Sequence, residues 1–295
     1  MFNAKELREE EVSLHPCSIE NMPGVDFTYA VGMYELNEEL GTRMGCVSIN
    51  RGAEKLHTYS VDAGILDMKF SANYLACVLS TSKLSVLTYD NAKNDTVGNS
   101  VSLSSVFSTE DVYGDDGLFL SVDWRHYQNN FGAPMDFTAL NNTLLATSTQ
   151  SGKIRVFSCH YNEVSGFSLT HQKCLTDIHK LYNHTQPIWT TTFDPHSGHT
   201  GSIGGLNTIL TGGDDGKFKL WDLRCVDTCT GKEEDEVNVA TPSPTMVSNF
   251  HAAGVTSAQY HPTNPNILAT GSYDQQLCIW DKRKMKSPLA SVDTG

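Results

Sequence analysis

The sequence predicts an all-β protein, a single domain over residues 1–295 built from about five similar four-stranded units. Two observations carry this prediction. Short runs rich in β-branched and aromatic residues recur along the chain between clusters of Gly, Asp, Asn and Ser, whereas the period of amphipathic helices is nearly absent. In addition, one stretch of the chain returns with matched spacing, which indicates a repeat architecture.

The clearest repeated stretch is TILTGGDDGKFKLWDLR, which returns as ILATGSYDQQLCIWDKR. A Thr, an Asp and a Trp keep their spacing in both copies, at Thr211, Asp215 and Trp221 and at Thr270, Asp274 and Trp280. His184 and His251 each stand just before the first strand of their unit. We interpret these side chains as hydrogen-bonding partners that hold a unit together, with general-base roles for the two histidines as the alternative.

Weaker copies continue the pattern toward the N-terminus, in LLATSTQSGKIRVF and LACVLSTSKLSVL, and the first copy is the loosest. The register predicts the first strand of the later four units near residues 64–70, 118–124, 188–193 and 255–260, and leaves that of the first unit unclear. A last outer strand is expected near residues 288–292.

Four-stranded units that end in Trp-Asp resemble the blades of WD-repeat β-propellers, in which each small sheet is covered by its neighbours. Rings of this kind commonly have about seven blades. We therefore expect this domain to be a seven-bladed ring that is incomplete at its C-terminus, with residues 12–19 as a spare strand that completes a final blade.

The composition of the chain argues against several classes of function. With 21 Lys and Arg against 34 Asp and Glu, the net charge is −13, which disfavours binding to nucleic acid or to an anionic membrane. No run of apolar residues is long enough to span a bilayer, and the charged start has no secretory core. The 8 cysteines are scattered, so we expect reduced thiols and a cytoplasmic location. The oligomeric state is left open.

Cofactor and metal motifs are missing. The chain has no G-x-S-x-G elbow, Walker sequence or strand–GxGxxG–helix unit, so no cofactor is expected. His196 with His199, and Cys225 with Cys229, lack a second pair of ligands, so no metal is expected either. Residues 91–100, 194–207 and 226–245 are predicted to be polar surface loops, and the acidic run 233–236 is either solvated or attracts a basic partner.

The inner strands line the channel of a propeller, and their alternation gives each one a polar face. Two rows of residues share that face: Asp67, Ser121, Thr190 and Ser257 in one, and Lys69, Asp123, Thr192 and Gln259 in the other. One interpretation is that polar side chains are needed where blades converge. The other is that Asp67, Asp123 and Lys69 approach the channel mouth and activate water.

The stretch NILATGSYDQQLCIWDKRKMKSPLA, with its Met-x-x-Pro-Leu ending, resembles the diphthine methylesterase family, the WD-repeat proteins of diphthamide biosynthesis. YAVGMYEL, GILDMKF, LFLSVDW, SGKIRVF and HTQPIWTTTFD are similar to the same family and occur in its order. The resemblance implies a cytosolic enzyme that hydrolyses the methyl ester of methylated diphthine on translation elongation factor 2, releasing diphthine and methanol. It implies no established nucleophile.

Ester cleavage needs an activated water or hydroxyl group and donors for the developing oxyanion. If the site lies in the channel, we expect Asp67 and Asp123 to act as bases, with His251 as a weaker candidate, and Trp189 to contact the substrate. The alternative, from a different class, is a non-catalytic WD-repeat scaffold or adaptor that binds proteins on its rim.

Overall fold

In the computed structural model, the residues that the structure describes form five four-stranded antiparallel sheets arranged as the blades of a β-propeller, which confirms the predicted fold class. Each sheet is a simple meander, so neighbours in the sheet are neighbours in the chain. The structure describes residues 14–39, 41–71, 73–94, 98–109, 115–125, 143–162, 164–196, 207–226 and 243–295.

The strands follow in chain order, the innermost first in each blade. Blade 1 contains β1 (His15–Asn21), β2 (Thr28–Asn37), β3 (Thr42–Arg51) and β4 (Glu54–Val61). Blade 2 contains β5 (Ile65–Ser71), β6 (Tyr74–Leu79), β7 (Leu84–Asn94) and β8 (Gly98–Ser108). Blade 3 contains β9 (Phe119–Trp124), β10 (Leu144–Thr149), β11 (Ile154–Asn162) and β12 (Gly166–Leu175). A short hairpin follows, with β13 (Lys180–Leu181) and β14 (His184–Thr185). Blade 4 contains β15 (Ile188–Phe193), β16 (Thr208–Gly213), β17 (Phe218–Asp222) and β18 (Met246–Ser248). Blade 5 contains β19 (Val255–Tyr260), β20 (Ile267–Ser272), β21 (Gln276–Asp281) and β22 (Ala290–Asp293).

Neighbouring inner strands run in the same direction around the channel. The Asp67 carboxylate accepts from the Val122 amide, and the Lys69 carbonyl accepts from the Trp124 indole, so the two strands advance together. We call the end of the channel where inner strands begin the upper end, and the other the lower end.

The blades are held by apolar cores that neighbouring sheets share. Each core combines side chains from two consecutive blades: Ile49 with Ile65 and Met68, Val86 with Phe119 and Trp124, Val156 with Ile188 and Trp221, and Leu210 with Phe218 and Trp280. Burying a large apolar side chain contributes about 1.5–3 kcal/mol. The sheets of blades 2, 3 and 4 each contribute to two of these cores. They are therefore covered on both faces, and their strands are apolar on both sides.

The predicted inner strands of blades 2 to 5 agree with β5, β9, β15 and β19 within a residue or two, and the last outer strand is β22. The prediction for residues 12–19 is wrong in its described part. Strand β1 pairs with β2 and lies beside β5, so it is the inner strand of blade 1 and not a spare strand for a final blade.

The prediction of a surface loop at residues 91–100 is also wrong. Strands β7 and β8 stay paired as far as Asn94 and Gly98, so most of this segment is a long hairpin. Most of the predicted loops at 194–207 and 226–245, with the acidic run 233–236, lie outside the described residues. Within the described ranges, no helix has the length and apolar character of a membrane span.

Candidate functional site

The inner strands enclose a cavity of about 520 Å³ in the channel. All five blades contribute to its wall, from Cys17 of β1 to Tyr260 of β19. Every residue of the two predicted polar rows lines it: Asp67, Ser121, Thr190, Ser257, Lys69, Asp123, Thr192 and Gln259. The strand alternation seen in the sequence therefore does place these side chains on one surface.

Asp67 lies in the cavity wall between three blades. Its Oδ1 accepts hydrogen bonds from the Met68 amide at 2.8 Å and the Ser18 hydroxyl at 3.1 Å, and its Oδ2 accepts from the Val122 amide at 2.9 Å. Burial raises the pKa of the Asp67 carboxyl, and the hydrogen bonds from Val122, Ser121 and Met68 oppose that shift. The carboxylate thus joins the inner strands of blades 1, 2 and 3.

Asp123 is buried and has the same role in the next blade along the chain. Its Oδ1 accepts from the Trp124 amide at 2.9 Å, and its Oδ2 accepts from the Phe193 amide and the Thr192 hydroxyl, both at 2.8 Å. In both aspartates, one oxygen binds a backbone amide of the following blade. This arrangement supports the interpretation that polar groups are needed where blades converge.

A third carboxylate, Glu20 of β1, completes an acidic cluster. Glu20 Oε1 lies 2.6 Å from the ammonium group of Lys69, and both side chains are partly buried. Burial raises the pKa of Glu20, and Lys69 opposes the shift. Burial acts to lower the pKa of Lys69, but the charges of Glu20 and Asp123 raise it, so Lys69 stays protonated.

Sequence reasoning missed Glu20, because it did not recognise β1 as an inner strand. Cys17 and Ser18 were missed for the same reason: the Cys17 thiol donates to the Leu66 carbonyl at 3.0 Å, and burial raises its pKa. The signal that could have found β1 is the pairing of Glu20 with Lys69 and of Ser18 with Asp67, which stand at the same offset in the chain.

Trp189 lines the cavity near its upper end. Its indole Nε1 donates to Asp214 Oδ1 at 2.9 Å, and its ring meets that of Tyr273 edge to face. Asp214 lies in the turn between β16 and β17, and Tyr273 in the turn between β20 and β21. The tryptophan thus sits where blades 4 and 5 meet.

His251 does not line the cavity. It is buried in blade 5, where Nδ1 lies 3.0 Å from Asp274 Oδ2 and Nε2 lies 2.8 Å from the Thr270 hydroxyl. Trp280 donates to the same hydroxyl at 2.8 Å. Both ring nitrogens are therefore engaged inside the blade, apart from the acidic cluster.

The assignment of His184 to the corresponding position in blade 4 is wrong. His184 is exposed in the hairpin β13–β14, whereas buried His179 lies 2.7 Å from Asp215 and 2.8 Å from Thr211. Trp221 donates to the Thr211 hydroxyl at 2.8 Å. Burial lowers the pKa of His179, against the effect of Asp215, so the ring is neutral.

No group of three or more metal-ligating side chains occurs among the described residues. Of the two pairs considered in the sequence, His199 and Cys229 lie outside those residues. His196 is engaged in the fold: its Nε2 lies 2.7 Å from the His261 carbonyl oxygen.

Comparisons with known proteins give a consistent result. The model of the family "WD domain, G-beta repeat" matches residues 175–222 and 241–281, which include blade 4 and the first three strands of blade 5. A chain in a crystal structure of the mitotic checkpoint complex matches the whole fold with a TM-score of 0.51 at 15% identity, covering 75% of that chain. At this identity the match supports the propeller fold alone.

Several curated relatives carry diphthine in their names. A diphthine methyltransferase homolog of Dictyostelium discoideum is 28% identical over 82% of this chain, and human diphthine methyltransferase is 40% identical over 28% of it. The matched region spans 55% of the first relative and 15% of the second. The resemblance found in the sequence is thereby confirmed: the chain is similar to the diphthine methyltransferases and has WD repeats in blades 4 and 5.

Proposed function

We propose that the protein acts in diphthamide biosynthesis and hydrolyses the methyl ester of methylated diphthine on translation elongation factor 2, giving diphthine and methanol. The observation that carries the proposal is the acidic cluster at the channel: Glu20 binds the ammonium group of Lys69, and the carboxylates of Asp67 and Asp123, which line the cavity with Lys69, raise the pKa of that ammonium group. Its relatedness to the diphthine proteins supplies the substrate class.

The three carboxylates accept different numbers of hydrogen bonds, which indicates different roles for them. Asp67 and Asp123 each accept three hydrogen bonds within the channel wall, so most of their lone pairs are engaged. Glu20 binds the Lys69 ammonium through one oxygen, Oε1. We therefore propose that Glu20 is the general base. The two aspartates add negative charge to the site and join neighbouring inner strands.

The proposed step needs only water as a second reactant. The Glu20 carboxylate takes a proton from water while the water oxygen bonds to the ester carbon, and the carbonyl electron pair moves onto oxygen. The Lys69 ammonium stabilises this oxyanion. When the intermediate collapses, the bond to the methoxy oxygen breaks, and methoxide leaves as methanol with the proton held by Glu20. Trp189 contacts the substrate from the upper end.

The relatives are named methyltransferases, so the direction of the reaction needs a test of its own. Elongation factor 2 carrying methylated diphthine is incubated with the protein and analysed by mass spectrometry and for methanol. Hydrolysis removes the mass of one CH₂ group and releases methanol. A methyl transfer would add that mass, and only with a methyl donor present.

Variants identify the base. We expect Glu20→Gln to lower the rate of methanol release at least about 100-fold, the usual contribution of a general base. Asp222→Asn, which alters a carboxylate paired with Arg224 at the end of β17, serves as the matched control and keeps the rate. Equal rates for Glu20→Gln and the unmodified protein would remove Glu20 from the mechanism, and the same test applies to Asp123→Asn.

The second candidate function is a scaffold or adaptor that binds proteins. The observation that favours it is that Asp67 and Asp123 join neighbouring blades, which is a structural task. A folded protein that releases no methanol from the modified factor, yet binds that factor in a pull-down, would favour this alternative. We propose a cytoplasmic location for the esterase, as the resemblance to the diphthine family implies.

A further inference from the structure

A groove of about 710 Å³ lies on the outer rim of the propeller, where blade 4 meets blade 5. One wall is the segment from Met246 to Phe250, which contains β18, the outermost strand of blade 4. The other wall is formed by Met285 and Lys286, in the connection between β21 and β22 of blade 5. This rim groove shares no lining residue with the channel cavity, so it is a separate site.

The floor of the rim groove is apolar and continuous with the protein core. Met246 and Met285 are partly buried and pack against the core that blades 4 and 5 share. The ring of Phe250 meets that of Trp280 edge to face at 5.5 Å, yet 45% of Phe250 is exposed, as is 47% of Val247. Exposed apolar side chains bordered by polar ones are typical of a protein-binding surface, and flexible methionines adapt to the side chains of a partner.

A cluster of cations borders the rim groove on the side of blade 5. Four of the five residues from Lys282 to Lys286 are Lys or Arg. The first two are ion-paired with carboxylates of the protein, whereas Lys284 and Lys286 are exposed and form no ion pair with any described residue. No carboxylate is among the described residues that line the groove. This local excess of positive charge favours an acidic partner and disfavours a basic one.

The wall formed by blade 4 also offers backbone hydrogen bonds. Strand β18 pairs with β17 through Met246, Val247 and Ser248, and it is the last strand of its sheet. Within the described part of the chain, no strand pairs with its other edge, so an extended segment can add there. Because side chains alternate along an extended segment, apolar side chains can face the floor while neighbouring carboxylates reach the cations.

We propose that the rim groove binds an extended acidic segment of a partner protein. Its apolar side chains occupy the floor between Met246 and Met285, and its carboxylates pair with Lys284 and Lys286. The site lies apart from the channel and does not depend on ester hydrolysis. Its test therefore measures binding alone, and failure of one proposal leaves the other standing.

Three labelled peptides test the chemistry of the partner: EELSLSLEE, the basic KKLSLSLKK and the polar EESSSSSEE. Fluorescence anisotropy measures their binding to the full 295-residue chain. We expect EELSLSLEE to bind at least about fivefold more tightly than either of the others. The net charge of −13 attracts the basic peptide at long range, so a preference for the acidic one reports the local cluster of cations.

A charge-reversal variant tests the cations. Lys286→Glu replaces an attraction by a repulsion, and we expect it to weaken binding of EELSLSLEE at least about fivefold. Lys55→Glu makes the same change of charge at an exposed lysine of β4 in blade 1, and this control should change the affinity less than about twofold.

A methionine variant tests the floor. Met285→Gln keeps the length of the side chain but makes it polar, and we expect binding of EELSLSLEE to weaken about threefold. Met44→Gln, at a methionine of β3 that is 54% exposed, is the matched control and should bind normally. Thermal unfolding shows that each variant is folded.

Four outcomes would overturn the proposal. Tighter binding of KKLSLSLKK would mean that the net charge alone governs binding. Equal binding of EELSLSLEE and EESSSSSEE would mean that the apolar floor takes no part. Equal affinities of folded Lys286→Glu and Lys55→Glu for EELSLSLEE would place the peptide elsewhere. A dimer in sedimentation velocity that Lys286→Glu dissociates would mean that a second copy of the chain, rather than a partner protein, occupies the groove.

Discussion

Blades 4 and 3 have the same four-stranded sheet but are stabilised by different polar networks. In blade 4, Trp221 donates to Thr211, whose hydroxyl can donate to His179, whose other nitrogen can donate to Asp215. Blade 5 repeats this chain through His251. The four side chains form one hydrogen-bonded series, which we call the relay. It runs from a neutral indole to a carboxylate and links the inner edge of the blade with its middle strands.

Blade 3 has an ion-pair network in the same place. Phe157 stands where Trp221 would be, and the fully buried Asp116 pairs with Arg155 and, at 3.1 Å, with Lys153. Here the carboxylate precedes the inner strand, while Arg155 is on the third strand and Lys153 stands just before it, so the order of the partners is reversed. The comparison shows that the fold requires a polar link at this position, meaning buried polar side chains that are hydrogen-bonded or ion-paired to one another. It does not require one particular set of residues.

The largest effect is expected in blade 3, from Asp116→Ala. The change leaves Arg155 partly buried without its carboxylate, which destabilises a protein by about 3–5 kcal/mol. Urea unfolding measures the loss. Asp115→Ala, at the exposed neighbouring carboxylate, is the control and should cost less than about 0.5 kcal/mol. If the two variants are equally stable, the ion-pair network does not replace the relay.

A smaller effect is expected from His179→Leu in blade 4. Buried Asp215 and Thr211 would each lose a partner, and we expect a loss of about 2–3 kcal/mol in unfolding free energy. His184→Leu tests the same residue type in the exposed hairpin and should change stability by less than about 0.5 kcal/mol. A larger loss for His184→Leu would contradict the structure.

Trp221→Phe gives blade 4 the aromatic residue of blade 3. The ring stays in the core, while the hydrogen bond to Thr211 and some of the packing are lost, so we expect a cost of about 1–2 kcal/mol. The unfolding midpoint in urea is the measurement. A loss as large as that from Asp116→Ala would show that the indole, rather than the polar link, dominates this position.

The smallest effect concerns pH. Burial, with help from Arg155, lowers the pKa of His171 in blade 3 from 6.5 to about 4. Between these values the unfolded chain binds a proton that the native chain does not, so the contribution of His171 to stability is complete above pH 6.5 and falls as the pH drops toward 4. Unfolding free energies of the unmodified protein and His171→Gln across this range should show a shallower slope for the variant.

Much of the fold could be predicted because blades 4 and 5 keep a strict spacing of Thr, Asp and Trp, and that spacing sets the register of the other blades. Strand β1 was missed because Asn21 stands near its end, where the other inner strands have an aromatic residue: Phe70, Trp124, Phe193 and Tyr260. His179 was missed because the hairpin β13–β14 separates it from β15, so the spacing found in blade 5 pointed to His184.

The candidate site was only partly predictable. Strand alternation placed Asp67, Asp123 and Trp189 on the cavity wall, because alternation depends on local geometry alone. The hydrogen bonds that occupy the two aspartates come from blades distant in the chain, and the ion pair of Glu20 with Lys69 crosses between blades 1 and 2. Such contacts depend on how the sheets are stacked, which single-strand patterns do not report.

One carboxylate in each of blades 1 to 4 accepts a hydrogen bond from the blade that follows: Glu20 from Lys69, Asp67 from Val122, Asp123 from Phe193 and Asp194 from Lys282. In each of these four hydrogen bonds the acceptor precedes its donor in the chain. During synthesis on a ribosome, the carboxylate acceptor of each bond is therefore made before its donor. Each new inner strand can bind to the preceding blade as it emerges, so the blades can assemble in order from the N-terminus.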